Sequence, residues 1–278
     1  MAEARYAALD VGGTKMSYAL VDRDKGVLHR YDDVETPKSH LDIVLRIEGM
    51  IHDIMKDCLI EGIGISIAGP VTNDGTVVRT SNMKLNDGYP LQKRLDRSFF
   101  APVSVENDAR CFALGVHKYE LEGKYDDGVF LTLGTGLGGA AILAGMLEPR
   151  PKAPSEEIGH MILVPGGRDC GCGGKGCAEA YVSGTAIEKR YVEAAGSFLS
   201  ARDIAEMDDR ASMCVMDEAR KYFGMVLERL MEEYDPEAIV VGGGLSNALR
   251  IMEQECKVLR KSEMDDAALL GAVVPLLG

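Results

Sequence analysis

The chain has 278 residues, of which 46% are hydrophobic and 27% charged, the balance of a folded protein of a length that suits two ordinary domains. With 31 basic residues against 44 acidic ones, the net charge of −13 speaks against nucleic acid and anionic membranes as partners, because both are held by neutralising Lys and Arg. No apolar run approaches the roughly 20 residues that span a bilayer, and "MAEARYAALD" has no basic segment followed by an apolar one, so the expected location is the cytoplasm.

In chain order, "YAALDVG", "MSYALVD" and "GVLHRYDDVE" read as three short strands separated by Gly12-Gly13 and by Asp24-Lys25-Gly26. Residues 41–56 read as a helix, with Ile43, Ile47, Ile51, Ile54 and Met55 spaced by three or four. "GIGISIAGP" (62–70) is a continuous apolar strand of the kind found inside a parallel sheet. "PLQKRLDRSFF" is a short helix opened by Pro90, "PVSVEND" a strand, and "ARCFALGVHKYE" a helix starting straight after Asp108. The pattern then restarts. "LTLGTGLGGAAIL" repeats the order of "LDVGGTKMSYALV" about 122 residues later, a weak internal echo that predicts two related lobes. A loop-rich stretch (148–178) carries three of the seven cysteines. Helices follow in "GTAIEKRYVEAAG" and "MDEARKYFGMVLERLMEEY"; the second has Met216, Ala219, Phe223, Val226, Leu230 and Met231 on one stripe. "AIVVGGGLS" (238–246) is the last strand, and "DDAALLGAVVPLL" a final helix.

Three glycine clusters each follow an apolar strand: Gly12-Gly13-Thr14, Gly134-Thr135-Gly136 and Gly242-Gly243-Gly244. The first, "GGTK", is neither a Walker loop nor a G-x-G-x-x-G turn opening a helix. One such hairpin turn needs no ligand. Three of them at the carboxyl edges of sheets point to exposed amides that hold anionic oxygens. Asp10, at a strand end, reads either as a turn cap or as a carboxylate holding Mg²⁺ through water. Cys170, Cys172 and Cys177 form C-x-C-x₄-C with His160 ten positions ahead, a donor set that suits a closed, structural Zn²⁺ site; buried or free thiols are the alternative. Asp108 reads as an N-cap or as a catalytic base. Glu106 reads as a surface charge.

The segments "LDVGGTK", "GIGISIAGP", "VENDARCFALG", "TLGTGLGGA", "EIGH", "CGCGGKGCAEAYVSG" and "IVVGGGLS" resemble, in order, the motifs of the ROK sugar kinases (repressor, open reading frame, kinase) of the actin-like ATPase superfamily. The resemblance implies an α/β fold of two ribonuclease-H-like lobes with a cleft between them and a zinc-bearing loop. The expected lobes are 1–108, completed by a C-terminal helix over 265–278, and 109–264. The implied activity is transfer of the γ-phosphate of ATP to the 6-hydroxyl of glucose or a related hexose. An N-acetylhexosamine (N-acetylmannosamine or N-acetylglucosamine) is the alternative substrate. The resemblance gives ATP, Mg²⁺ and structural Zn²⁺ as cofactors and a homodimer as the assembly. It assigns Gly12, Gly13, Thr14, Lys15, Gly134, Thr135 and Gly136 to phosphates and Gly242, Gly243 and Gly244 to adenosine. Asp108 becomes the base, with Asn107, Glu157, His160 and Glu179 on the sugar; on the residues alone Glu157 and Glu179 read as surface carboxylates, and Asn82 reads equally as a sugar contact or as a plain turn residue. The family also contains non-catalytic sugar-sensing regulators. These carry a helix-turn-helix ahead of the first hairpin, for which a hairpin opening at about residue 6 leaves no room. The chain departs from the family beside the sugar residues: "APSE" replaces the usual Gly-Ala-Gly lead, with Glu156 where glycine is common, and no tryptophan is present.

Overall fold

The computed structural model describes residues 5–80, 83–251 and 256–277. These form two compact units, one of residues 1–124 with 264–278 and the other of residues 125–263.

The first unit is built on a sheet of β1 (Arg5–Val11), β2 (Lys15–Asp22), β3 (Gly26–Arg30), β5 (Gly62–Ile67) and β6 (Val103–Asn107), in the order β3-β2-β1-β5-β6, with β4 (Val34–Glu35) also paired to β2. β1 runs antiparallel to β2 and parallel to β5, which runs parallel to β6. The three carboxyl ends of β1, β5 and β6 therefore lie side by side, and the glycine turn, Ser66 and the Asn107-Asp108 pair emerge along one edge. One face is covered by α1 (His40–Asp57), whose N-cap Ser39 accepts from the Asp42 amide. Its Ile43, Ile47, Ile51 and Ile54 are fully buried against Leu9 and Ile65. Met55, expected on that stripe, is exposed, and Met50 is buried instead. The helical period from Ile43 and Ile47 reaches Met50 and Ile54, leaving Met55 on the outer side. A second short helix, α2 (Leu91–Asp96), buries Leu91 and Leu95 in the same core.

The opposite face is covered by the C-terminal segment. Here the expected single helix is α8 (Ala267–Gly271) followed by a 3₁₀ turn over Val274–Leu276, because Pro275 has no N–H to continue an α-helix. α8 crosses α3 (Asp108–Gly115) at backbone contact: a Cβ on Gly271 would lie 1.7 Å from the Cys111 carbonyl oxygen, and one on Gly115 would lie 1.9 Å from that of Ala267. This crossing corrects the expected boundary at residue 108. α3 and the π-helical turn Val116–Glu120 belong to the first unit, and the division falls after residue 124. Gly271→Ala is expected to lower stability by about 3 kcal/mol, because neither helix can yield without dragging its partners. Thermal melting of that variant alone checks it.

The second unit carries β7 (Gly128–Leu133), β8 (Leu137–Leu143), β9 (Met146–Leu147), β10 (Ala238–Gly242) and β11 (Leu259–Lys261), in the order β11-β10-β7-β8-β9. Its central strand β7 is antiparallel to β8 across a glycine turn and parallel to β10. β1 has the same relation to β2 and β5, so the echo in the sequence is an echo in topology. β10 stops at Gly242 rather than running to residue 246. Gly243 takes φ +93°, and a Cβ there would lie 2.5 Å from the Leu133 carbonyl oxygen, so only glycine fits where this loop passes the end of β7. The helices are α4 (Glu179–Val182), α5 (Gly184–Ala195), α6 (Ala201–Glu206) and α7 (Arg210–Tyr234). α7 buries Met216, Ala219, Phe223, Val226 and Leu230, with Phe223 fully enclosed among Leu131, Val241 and their neighbours.

Candidate active site and cysteine centre

The edge of the first sheet gathers the acidic residues. Asp10 on β1 pairs in register with Ser66 on β5, and Ser66 with Glu106 on β6. The Ser66 hydroxyl donates to Asp10 Oδ1 at 2.6 Å. Burial pushes the Asp10 carboxyl up, against the lowering pull of that hydrogen bond and of Lys15. The Gly12–Thr14 turn is pinned through its carbonyls: the Thr36 hydroxyl donates to Gly12 O (2.7 Å) and the Thr36 amide to Thr14 O (2.9 Å). Gly12 N–H closes on Lys15 O, and a Cβ at Gly12 would sit 2.9 Å from that oxygen. Neither Gly12 nor Gly13 has a positive φ, so the left-handed conformation that favours glycine is not what this turn asks of them. Among the described residues the Gly13 and Thr14 amides have no acceptor. Lys15 Nζ, expected on phosphate, lies 2.7 Å from Asp33 Oδ2.

Asn107 is the N-cap of α3, its side-chain oxygen accepting from the amides of Ala109 and Arg110. That frees Asp108 from the capping role. Asp108 is the first residue of the helix, and its Oδ1 accepts from Asn107 Nδ2 and from the Ala109 amide, both at 2.9 Å. Burial, then repulsion from Asp10, pushes its pKa up from 3.8 to about 6 despite those hydrogen bonds. A carboxylate held this close to neutral pH at a sheet edge is poised to take and release a proton. Glu106, expected at the surface, is buried with 4% exposure. It accepts from the Asn107 amide at 2.8 Å and pairs with Arg110 at 3.3 Å, so it fixes the backbone that carries Asn107 and Asp108.

In the second unit, His160, Cys170, Cys172 and Cys177 place one donor atom each within 4.8 Å of all the others. Cys172 and Cys177 sulfurs are 3.7 Å apart, and Cys170 Sγ is 3.6 Å from His160 Nδ1. A tetrahedron with Zn–S of about 2.3 Å and Zn–N of about 2.0 Å has edges of roughly 3.8 and 3.5 Å, so the four donors are compatible with a bound zinc ion. Burial pushes the Cys170 thiol up to about 12, a cost that a dication bound there would offset. His160 Nε2, the ring nitrogen away from the Cys170 contact, is 3.7 Å from Glu157 Oε2, an ion-pair separation rather than a hydrogen bond. Glu179 accepts from the Leu137 amide at 3.0 Å through Oε2, and its Oε1 is 3.9 Å from Cys170 Sγ. Glu156 is exposed and accepts from the Lys152 amide, serving its own loop. Asn82 lies outside the described residues.

The ROK family profile matches residues 6–274. The chain belongs to the ROK family. This ROK chain is 30% identical over 281 aligned residues to an N-acetyl-D-glucosamine kinase of Mannheimia succiniciproducens, covering 93% of this chain and 90% of that one. It is 30% identical to a glucokinase of Thermotoga maritima over 91% of this chain and 86% of that one. Its fold resembles the crystal structure of a ROK glucokinase from Streptomyces griseus in complex with glucose and AMPPNP, with a TM-score of 0.81 and 28% identity, covering 97% of this chain and 98% of that one.

Two groups of this ROK chain had no signal in the sequence. One is the Glu106–Arg110 pair described above. The other is Arg168, two residues before Cys170. Its guanidinium lies 4.4 Å over the Tyr181 ring and its Nη2 is 2.7 Å from Glu218 on α7, while its amide donates to the Tyr181 hydroxyl. The cysteine loop is thereby fastened to α7 by a contact that needs no metal. Among the described residues no helix is long and apolar enough to cross a membrane.

Proposed function

We propose that this chain is an ATP-dependent hexose kinase that transfers the γ-phosphoryl group to the 6-hydroxyl of its sugar. Asp108 carries the reading. Freed from capping by Asn107 and lifted to about 6, it accepts the proton of the hydroxyl as that oxygen attacks phosphorus. Asn107, Glu157, His160 and Glu179 bind the sugar hydroxyls, and Asn82 joins them. Gly12, Gly13, Thr14 and Lys15, with Gly134, Thr135 and Gly136, receive the phosphates, and Gly242, Gly243 and Gly244 receive the adenosine. The two amides without acceptors at Gly13 and Thr14 support the phosphate assignment.

His160, Cys170, Cys172 and Cys177 hold Zn²⁺, which is structural because four protein ligands leave no open position. Asp10 holds Mg²⁺ through water; the desolvation that raises its carboxyl is what a cation relieves. That ion supplies charge neutralisation at the triphosphate. As a working assembly we take the homodimer, with neither nucleic acid nor membrane as a partner, and a cytoplasmic location.

Glucose is the first candidate substrate and an N-acetylhexosamine the second. Both have support among the relatives, since the N-acetylglucosamine kinase matches at the same identity as the glucokinase. A coupled assay of about a dozen hexoses and N-acetylhexosamines with ATP and Mg²⁺ tests both. One hexose or N-acetylhexosamine is expected to exceed the rest by about a hundredfold in kcat/KM, because a mismatched sugar leaves buried polar groups unpaired. Binding of sugar with no turnover of any would favour a sugar-sensing regulator and sink the kinase reading.

A further inference from the structure

The segment after Cys177 returns at once to the glycine turn between β7 and β8. Gly184 N–H donates to Gly134 O at 2.8 Å. Thr185 donates twice to Thr135 O, from its amide at 3.2 Å and its hydroxyl at 3.0 Å. Leu137 N–H donates to Glu179 Oε2, and a Cβ on Gly136 would lie 2.6 Å from that same oxygen. The turn is thus gripped at three successive points from one stretch of chain. That stretch begins at Cys177, which is buried, and Ala178, whose amide donates to Met161 O.

We propose that residues 177–185 act as a strap that couples the cysteine–histidine centre to the phosphate-binding turn, so that metal occupancy sets the affinity for nucleotide as well as for sugar. Glu179 and Thr185 are its positioning residues toward nucleotide. The inference rests on the reading of Gly134–Gly136 as a phosphate turn. Its physical basis is conformational. A turn of two glycines and a threonine samples many backbone states when free, and ordering it at the moment of binding costs affinity. Held by its carbonyls and by the Leu137 amide, it is ordered beforehand. Cys177 opens this stretch two residues ahead of Glu179, so the Glu179–Leu137 grip lies nearest the metal centre, while Tyr181 and Val182 beyond it are buried in the core of the unit. Loosening the metal centre therefore loosens Glu179, whose other oxygen lies 3.9 Å from Cys170 Sγ, and with it the Leu137 end of the turn, without touching any group that faces nucleotide.

The test is calorimetric titration of ADP with Mg²⁺ in the absence of sugar, so that the sugar contacts of Glu179 and His160 do not enter. Metal content is measured on the same samples. Stripping with a chelator is expected to weaken ADP binding about tenfold, and added Zn²⁺ to restore it. Thr185→Val removes one grip from an exposed position, leaves the cysteines untouched, and is expected to keep its metal while binding ADP about fivefold more weakly. That variant keeps the inference open to failure should the stripped protein unfold. Unchanged ADP affinity in Thr185→Val, or in a stripped protein that stays folded, overturns the coupling. Failure of the metal-loaded protein to bind ADP at all overturns the nucleotide reading of the turn, and the coupling falls with it.

Discussion

Replacing Asp108 with Asn is expected to lower kcat by about a thousandfold while the dissociation constant for sugar changes by no more than a few-fold. The asymmetry follows from what the substitution preserves. Asp108 Oδ1 accepts from Asn107 Nδ2 and from the Ala109 amide, and an Asn carbonyl in the same place accepts both. Asn107 caps α3 with its own oxygen, so the helix start does not depend on residue 108. Only the ability to take a proton is lost. Steady-state turnover measured beside equilibrium sugar binding separates the two quantities. An Asn variant turning over at a tenth of the wild-type rate or faster would remove Asp108 as the base.

The same residue sets the pH behaviour, with opposite signs for activity and for stability. A base must be ionised to work, so kcat/KM for the sugar is expected to fall about tenfold per pH unit below about 6, the pKa of Asp108 in the free enzyme. Stability runs the other way. The folded-state pKa is raised above the unfolded value near 3.9, so this carboxyl's favourable contribution is complete below pH 4 and is lost as pH rises through about 6. At pH 8 the ionised, desolvated group costs the fold up to about 3 kcal/mol. The Asn variant is therefore expected to melt above the wild type at pH 8 and to converge with it near pH 4. An enzyme that carries such a group sacrifices stability for a base matched to its working pH.

What the sequence made legible follows the range of the interactions. The glycine clusters, the strands before them and the C-x-C-x₄-C run are local, and each appears where the pattern of residues puts it. The cysteine–histidine grouping could be read because its chemistry is narrow: few other uses bring three thiols and an imidazole together. Glu106 could not be read, because its burial depends on a partner four residues on, across a strand–helix boundary rather than within one helix. Met55 failed for a smaller reason, since two adjacent isoleucine rows on α1 allow more than one stripe and the sheet selects between them. β11 spans only Leu259–Lys261, too short for alternation to register. The placement of α3 in the first unit was hidden for the deepest reason. It is decided by Gly115 and Gly271 fitting against distant carbonyls, and small residues give no pattern that names what they touch.

Removing the metal is expected to abolish sugar phosphorylation and to unfold one loop while both sheets stay intact. Between residues 161 and 178 the chain has no regular strand or helix; it is held by isolated bridges between Ile162 and Cys177 and between Asp169 and Lys175. Gly176 is confined there by φ +79° and by the Val164 carbonyl, 1.8 Å from where its Cβ would be. The bridges are joined by loop hydrogen bonds, such as those of the Leu163 and Val164 amides to Gly176 O and of the Cys170 amide to Gly174 O, but with no regular element and little apolar burial these do not offset the ordering entropy of such a stretch, and the free energy of metal binding supplies the difference. Cys172→Ser takes away one of four ligands and leaves its neighbours crowded. The variant is expected to purify without stoichiometric zinc and to lose at least about a hundredfold in sugar turnover, since even residues behind a metal's ligands commonly cost that much. Hydrogen exchange would locate the damage. Protection is expected to vanish over residues 169–177 and to fall at the Leu137 amide, but to persist around Arg168, which Tyr181 and Glu218 hold without any ion, and through α7. A metal-free Cys172→Ser protein with full turnover would take the centre out of the mechanism. Loss of protection spreading through α7 and β7 would mean instead that the ion supports the whole unit rather than the loop.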